Sequence, residues 1–325
     1  MTRRLLPFTP ALVAACLLYS AGVRAQTFPD KPIRLIVPAP SGTVTDLSAR
    51  RLSEKAAQTL GQPIVVENRA GASGAIGAQA VARAKPDGYT LYFGSNQTHA
   101  TNMVLLKNPG YDSLKDFAPI ARLVVNAQVF AVNAGVGAKT VRELVELARA
   151  KPNTLSFASA GKGTTAHLAG EMLKNAAAIE ITHVPYNSPQ LLTDLVAGHT
   201  SMIVYPYFAL KPLIDGGKLR VLATMGASRA AWMPAAPTMI ESGYPGFTWA
   251  SWFAVYGPAG LSRDIADRVS AAYAGVLKDP AVTASLLAGG SEPFYAGPAE
   301  LADFTRVEIE RVRQVVQAAK LTIED

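Results

Sequence analysis

Cysteine is almost missing from this chain: among 325 residues there is one, Cys16, and it falls inside an N-terminal apolar leader. The folded part therefore has no disulfide and no thiol nucleophile. Histidine is also scarce, and His99, His167, His183 and His199 show no HExxH or paired spacing, so the zinc signatures are absent. There is no GxSxG elbow to activate a serine. Charged residues make up only 17% of the chain, with no dense Lys/Arg run and no basic-aromatic interleaving, so the net charge of +7 does not point to nucleic acid. Arg3, Arg4 and Arg24 lie in the leader, which leaves the rest nearer +4, a balance that suits anionic solutes.

Two nucleotide-like patterns fail on spacing. Gly71, Gly74 and Gly77 are wrongly spaced for a dinucleotide turn and lack an acidic ribose partner. Gly161-Lys162-Gly163-Thr164 resembles a phosphate loop, but the position five before the Gly-Lys pair is Ser156 instead of glycine. Neither a cofactor nor a metal is expected.

The leader carries Arg3 and Arg4, an apolar stretch through Leu18, and Val23-Arg24-Ala25 ahead of Gln26, which reads as a secretory signal over residues 1–25. Pro7, Thr9 and Pro10 interrupt its apolar length, against a membrane span. Val13-Ala14-Ala15-Cys16 leaves lipid anchoring at Cys16 as an alternative, and the twin arginines leave folded-state export as another.

What the chain does contain is alternation. Strands near 33–37, 63–67 and 89–94 alternate with helices at 46–60, 75–84 and near 99–106. A second series has helices at 140–150, 164–175, 188–197 and 207–215 and strands at 154–158, 181–184, 200–204 and 219–224. This pattern predicts βαβ units with mostly parallel sheets flanked by helices. A chain of this length exceeds one usual core, so two lobes are expected. Extended segments at 120–133 and 247–256 are the crossings between them and form the hinge. Three helices at 263–278, 280–288 and 298–319 follow without a βαβ set of their own, so they must pack on a lobe already built. The boundaries are lobe 1 at 26–126 with 250–325, and lobe 2 at 127–249.

Each strand-to-helix turn sits at the carboxyl edge of its sheet, where open α/β sheets bind ligands. Four such turns are rich in small, hydroxyl or amide residues: Ser41-Gly42-Thr43, Ser95-Asn96-Gln97-Thr98, Ser159 to Thr164, and Tyr186-Asn187-Ser188. The first belongs to Pro38 to Asp46, PAPSGTVTD, which joins the apolar strand Ile33 to Val37 to a helix and aims backbone N–H groups at an anion. Lobe closure over such a guest makes a cleft between the lobes.

Together with ENRAGASGAIGA (Glu67 to Ala78), PDGYTL (Pro86 to Leu91), SAGKGT (Ser159 to Thr164) and HVPY (His183 to Tyr186), that stretch resembles the solute-binding receptors of tripartite tricarboxylate transporters, the Bug proteins. The similarity runs in order from about Phe28 to the C-terminus. It implies a two-lobe periplasmic-binding-protein fold of type II kind, with a small carboxylate held by the first and third loops. The site it implies comprises Ser41, Gly42, Thr43, Asp46, Ser95, Asn96, Thr98, Ser159, Gly161, Gly163, Thr164, Tyr186, Asn187 and Tyr205, with His99, Lys162 and Trp252 as secondary candidates. Asp46 is expected to cap its helix or orient water.

Three departures from the family pattern bear on specificity. Thr43 stands where a second glycine is usual, and the loop at Asn187 is one residue shorter. Tyr205-Pro206 replaces an Asp-Asn pair, which removes a partner for an amino group, while Tyr205, Tyr207, Phe208 and Trp252 offer aromatic surface. The expected protein is a monomeric periplasmic receptor, not an enzyme, that delivers a mono- or dicarboxylate with an apolar or aromatic body to membrane subunits. A periplasmic sensor for a signalling kinase is the alternative, and a hydrolase or isomerase on the same fold is the second.

Overall fold

The computed structural model describes residues 28–186, 190–288, 291–318 and 321; the proposed leader with Cys16, and Asn187, lie outside them. The chain runs β1 (Ile33–Val37), α1 (Val44–Leu60), β2 (Ile64–Asn68), α2 (Ala75–Ala82), β3 (Thr90–Ser95), a π-helical turn (Gln97–Thr101) into α3 (Asn102–Leu105), and β4 (Phe117–Asn126). It then continues through β5 (Gln128–Asn133), α4 (Val141–Ala150), β6 (Ser156–Ser159), α5 (Thr165–Ala177), β7 (Thr182–Pro185), α6 (Gln190–Ala197), β8 (Met202–Pro206), α7 (Tyr207–Asp215) and β9 (Leu219–Thr224). It returns as β10 (Ser251–Pro258), α8 (Arg263–Leu277), α9 (Pro280–Ala288), β11 (Ser291–Ala296) and α10 (Pro298–Ala318).

These strands form two sheets flanked by helices, the expected α/β class. One has the order β11-β4-β10-β3-β1-β2 and the other β7-β6-β8-β5-β9. Leaving out β11, the two orders are the same plan, with a βαβ trio beside two further strands.

Most strands of each sheet share one direction, as expected, but each sheet also carries antiparallel pairings. β1 pairs in parallel with β2 and β3, and β6 with β7 and β8, but β10 runs antiparallel to β3 and β4, and β5 antiparallel to β8 and β9. The cause is where the chain enters. The parallel strands end at the edge facing the other sheet, so a strand crossing over begins at that edge and must run away from it. Helical periodicity at 263–319 also hid β11, an edge strand on β4.

The central strands are buried on both faces. Ile33, Leu35, Val37, Leu91, Phe93 and Val255 share one cluster with Leu52 of α1 and Val269 of α8. In the other sheet Phe130, Phe157 and Val204 pack on Leu144 of α4 and Leu168 of α5. At roughly 1.5 to 3 kcal/mol per fully buried large side chain, these layers hold the strand ends in register. α10 departs from its expected place on one lobe, for Leu301 joins the first-sheet cluster of Ile36, Tyr92 and Trp252, while Ile309, Val312 and Val316 join the second-sheet cluster.

Candidate functional site

A cleft of about 1090 Å³ opens between the facing sheet edges. Its wall on the first sheet includes Pro38 to Pro40, Gly42 to Thr45, Ser73 and Ser95 to Thr98; the opposite wall includes Ala160 to Lys162, Thr164 to Ala166 and Val204 to Pro206. Gln128, Ser251 and Phe253, at the starts of the two crossing strands, also line it.

Two helices aim their N-termini here. α1 is preceded by Thr43 at φ −76°, ψ 164°, and α5 by Thr164 at φ −70°, ψ 162°, so each threonine holds the extended geometry of an N-cap. Neither hydroxyl caps its helix. Thr43 Oγ1 donates instead to the Pro40 carbonyl at 2.8 Å, and Thr164 Oγ1 to the Gly161 carbonyl at 2.7 Å. Elsewhere the same residue types do cap: Thr140 accepts from the Glu143 N–H and Ser262 from the Ile265 N–H. The first-turn N–H groups of α1 and α5 are thus left for a guest, at the positive ends of two helix dipoles.

The loop before α1 is braced by Asp46, which is 1% exposed. Its carboxylate accepts from Arg50 Nε at 3.0 Å, Asn68 Nδ2 at 2.8 Å and the Gly42 N–H at 2.9 Å, with Ser41 Oγ at 3.5 Å. Burial pushes its pKa up, but the bonds from Arg50, Gly42 and Asn68 outweigh that and hold it down at about 2. Asp46 shapes the loop and does not line the cleft.

Imidazoles brace the loop before α5. The Gly163 N–H donates to His167 Nδ1 at 2.9 Å, and the His167 ring stacks on His183 at 4.1 Å. Ser159 Oγ meets His183 Nε2 at 2.6 Å and the Gly161 carbonyl at 2.9 Å. Burial, with His167, Lys174 and Lys162 nearby, lowers His183 to about 4. The absence of a nucleophile-base pair, read from sequence motifs, is corrected here, because parallel pairing of β6 with β7 brings Ser159 to His183. The pair is not equipped as a dyad: Ser159 is 0% exposed and the imidazole is a weak base facing cations and a second histidine.

Of the expected site residues, Gly42, Thr43, Ser95, Asn96, Thr98, Gly161, Lys162, Thr164 and Tyr205 line the cleft. Asn96 Nδ2 also donates across it to Thr165 Oγ1 at 3.0 Å, a direct bond between the two walls. Asp46, Ser159 and Gly163 sit one layer behind, bonding the loops to themselves, while Ser41 is exposed beside the lining with its Oγ 3.5 Å from Asp46 Oδ2. Tyr186 points away to Asp194 Oδ2 at 2.9 Å. His99 is fully buried, stacked on Tyr256 at 3.8 Å and bonded to Thr98, and burial lowers it to about 3. Trp252 is buried with its Nε1 on Glu308 at 3.3 Å, and Tyr207 stacks on Trp232 at 4.2 Å.

The aromatic surface in the cleft is therefore Tyr205 and Phe253. Phe253, Ser251 and Gln128 were not anticipated, because only sheet pairing reveals that both crossings start at the cleft. Ser73 belongs to a quoted motif, but its place on the wall depends on a left-handed turn, with Ala72 at φ 46° and Ser73 at φ 53°. Among the lining residues the one charged side chain is Lys162; none is acidic.

Residues 48–321 match the model of the tripartite tricarboxylate transporter family receptor. The protein BugT of Bordetella pertussis is 34% identical over 92% of both chains. Among solved structures, R. palustris Rpa4515 with adipate is 33% identical, with a TM-score of 0.84 over 90% of this chain and 98% of that one. MatC from Rhodopseudomonas palustris with bound malate is 29% identical, with a TM-score of 0.80 over 89% of this chain and all of that one, 100%. With two sheets of common plan facing across a cleft and a match over most of its length, the chain belongs to the tripartite tricarboxylate transporter receptor family.

Proposed function

We propose that this protein is a periplasmic solute receptor that closes its two lobes on a small carboxylate and passes it to the membrane subunits of a tripartite transporter. The observation that carries this is the pair of helix N-termini, one on each wall, whose threonines leave the first-turn N–H groups open. Such donors hold a carboxylate without a full salt bridge. The lobes are 26–126 with 250–325 and 127–249, with α10 bridging the two, and the chain acts as a monomer without covalent chemistry.

The lining narrows the ligand. With no acidic lining residue, an α-ammonium group has no counter-charge, which argues against amino acids. Val204, Tyr205, Leu192, Ala209 and Phe253 offer apolar contact to a ligand body. A carboxylate with an aliphatic or aromatic body fits, and the adipate of Rpa4515 is a chemically matched starting probe.

A thermal-shift screen over dicarboxylates, aromatic acids and amino acids tests this. At one hundred times Kd a true ligand adds about 2.7 kcal/mol of stability, which is read as a rise in Tm. A rise with adipate or an aromatic acid but not with aspartate is expected. Tight aspartate binding, or recovery of the bound acid chemically altered, would overturn the reading.

A further inference from the structure

No residue of α10 lines the cleft, yet the helix is seated in both cores. Where it passes from one to the other, Thr305, Glu308 and Arg311 recur every three residues and face the second crossing. Thr305 Oγ1 lies 2.9 Å from the Tyr256 hydroxyl, and Glu308 Oε2 accepts from Trp252 Nε1 at 3.3 Å. Arg311 reaches Glu308 Oε1 at 3.3 Å, donates to the Thr248 carbonyl and to Thr248 Oγ1 at 2.9 Å, and lies 5.1 Å from the Trp249 ring. Glu308 is only 9% exposed, so its charge depends on these partners. From β4 Arg122 faces the same carboxylate, its guanidinium held 3.7 Å over Phe304 of α10 and 4.3 Å over Phe294 of β11.

Strand alternation links this cluster to the cleft. Trp252 points toward α10, so its neighbours Ser251 and Phe253 point the other way and line the cleft. Ser251 Oγ in turn accepts from Gln128 Nε2 at 2.9 Å, which ties the second crossing to the first.

We propose that Glu308 and Arg311 are positioning residues for ligand capture: by gripping Thr248, Trp249 and Trp252 from behind, they aim Ser251 and Phe253 into the cleft and set the balance between open and closed lobes. This rests on the receptor reading for its binding arm alone, since lobe geometry is measurable without a ligand. The test uses Leu47→Cys on α1, which is exposed, and Lys211→Cys on α7, whose residue is half-buried with its side chain 42% exposed, in a Cys16→Ser background, with spin labels reporting the distance between the two helices. Arg311→Ala is expected to broaden the ligand-free distance distribution while circular dichroism is unchanged, and to weaken adipate binding about tenfold. Arg311→Lys, which keeps the charge but loses the forked donor, restores part of both. Glu308→Gln, which keeps an acceptor for the Trp252 indole, gives an intermediate distribution and guards against a simple folding failure. Distributions that superimpose on the wild type in both Arg311→Ala and Glu308→Gln would overturn the proposal. If the wild type binds neither adipate nor any other dicarboxylate or aromatic acid of the screen, yet the ligand-free distribution still responds to Arg311→Ala, the positioning role stands and the receptor reading is what fails.

Discussion

The loops at Pro38–Asp46 and Ser159–His167 do the same thing with opposite chemistry. Each ends a parallel strand, bends back through positive-φ glycine (Gly42 in one, Gly161 and Gly163 in the other) and opens a helix behind an extended threonine whose hydroxyl bonds inward. One is braced by an ionised carboxylate with a pKa of about 2, the other by a stack of two imidazoles in which His183 is held at about 4. What a helix N-terminus needs is an open first turn; the group that fixes the loop from behind is free to differ. That difference predicts separate sensitivities.

The largest expected effect comes from Asp46→Ala. It strands Arg50, Asn68 and the Gly42 N–H together, so a loss of about 3 kcal/mol in urea unfolding is expected, along with ligand affinity. Equal stability of mutant and wild type would show that the carboxylate is not the brace. Because its folded pKa is lowered, the stability from Asp46 is present above about pH 4 and is lost as pH falls toward 2.

Paired glycine substitutions sharpen the comparison at the next level. Gly42 (φ 81°) and Gly163 (φ 73°) both need left-handed backbone, but a Cβ on Gly42 meets nothing within 4 Å, whereas on Gly163 it lies 3.1 Å from Leu105 Cδ1 of α3. Gly42→Ala should cost about 1 kcal/mol and Gly163→Ala about 2 kcal/mol, the excess reflecting the close approach of α3 to this loop. Equal costs in chemical denaturation would remove the α3 contact from the account.

The smallest effect separates the braces by pH. A histidine whose folded pKa is lowered contributes stability above its unfolded pKa near 6.5, and loses it as pH falls through the folded value near 4. For the partly exposed His183 this amounts to about 1 kcal/mol after solvent screening. His99, lowered to about 3 by burial, titrates over an overlapping window. His183→Gln should therefore flatten only part of the stability change between pH 6.5 and 4, while ligand affinity in that window becomes less pH-dependent, keeping the share set by protonation of the ligand's own carboxylate. A full pH dependence of affinity in the variant would assign the third loop's support elsewhere.

Much of this was legible along the chain. The helices α1, α4, α5 and α8 and the parallel strands follow local periodicity, and the turns that open α1 and α5 announce themselves as small residues between a strand and a helix. Misreadings came where a neighbour distant in sequence decides. Ser159 looks like a ligand hydroxyl until β7 delivers His183 beside it, and Trp252 looks like a cleft aromatic until α10 supplies Glu308. Phe253, one residue on, is the aromatic that lines the cleft. A single step along a strand reverses its face, and no periodicity tells which face a cleft occupies.

By itself the sequence determined the α/β class, the two lobes, the families of turns that could meet an anion and the family kinship, because each depends on local propensity, spacing or ordered motifs. Tertiary structure alone decided the antiparallel crossing strands, the two braces and the bridging place of α10. Those depend on which edge the chain enters and which side chains long-range packing brings within hydrogen-bonding distance, and neither is encoded in any one window of residues.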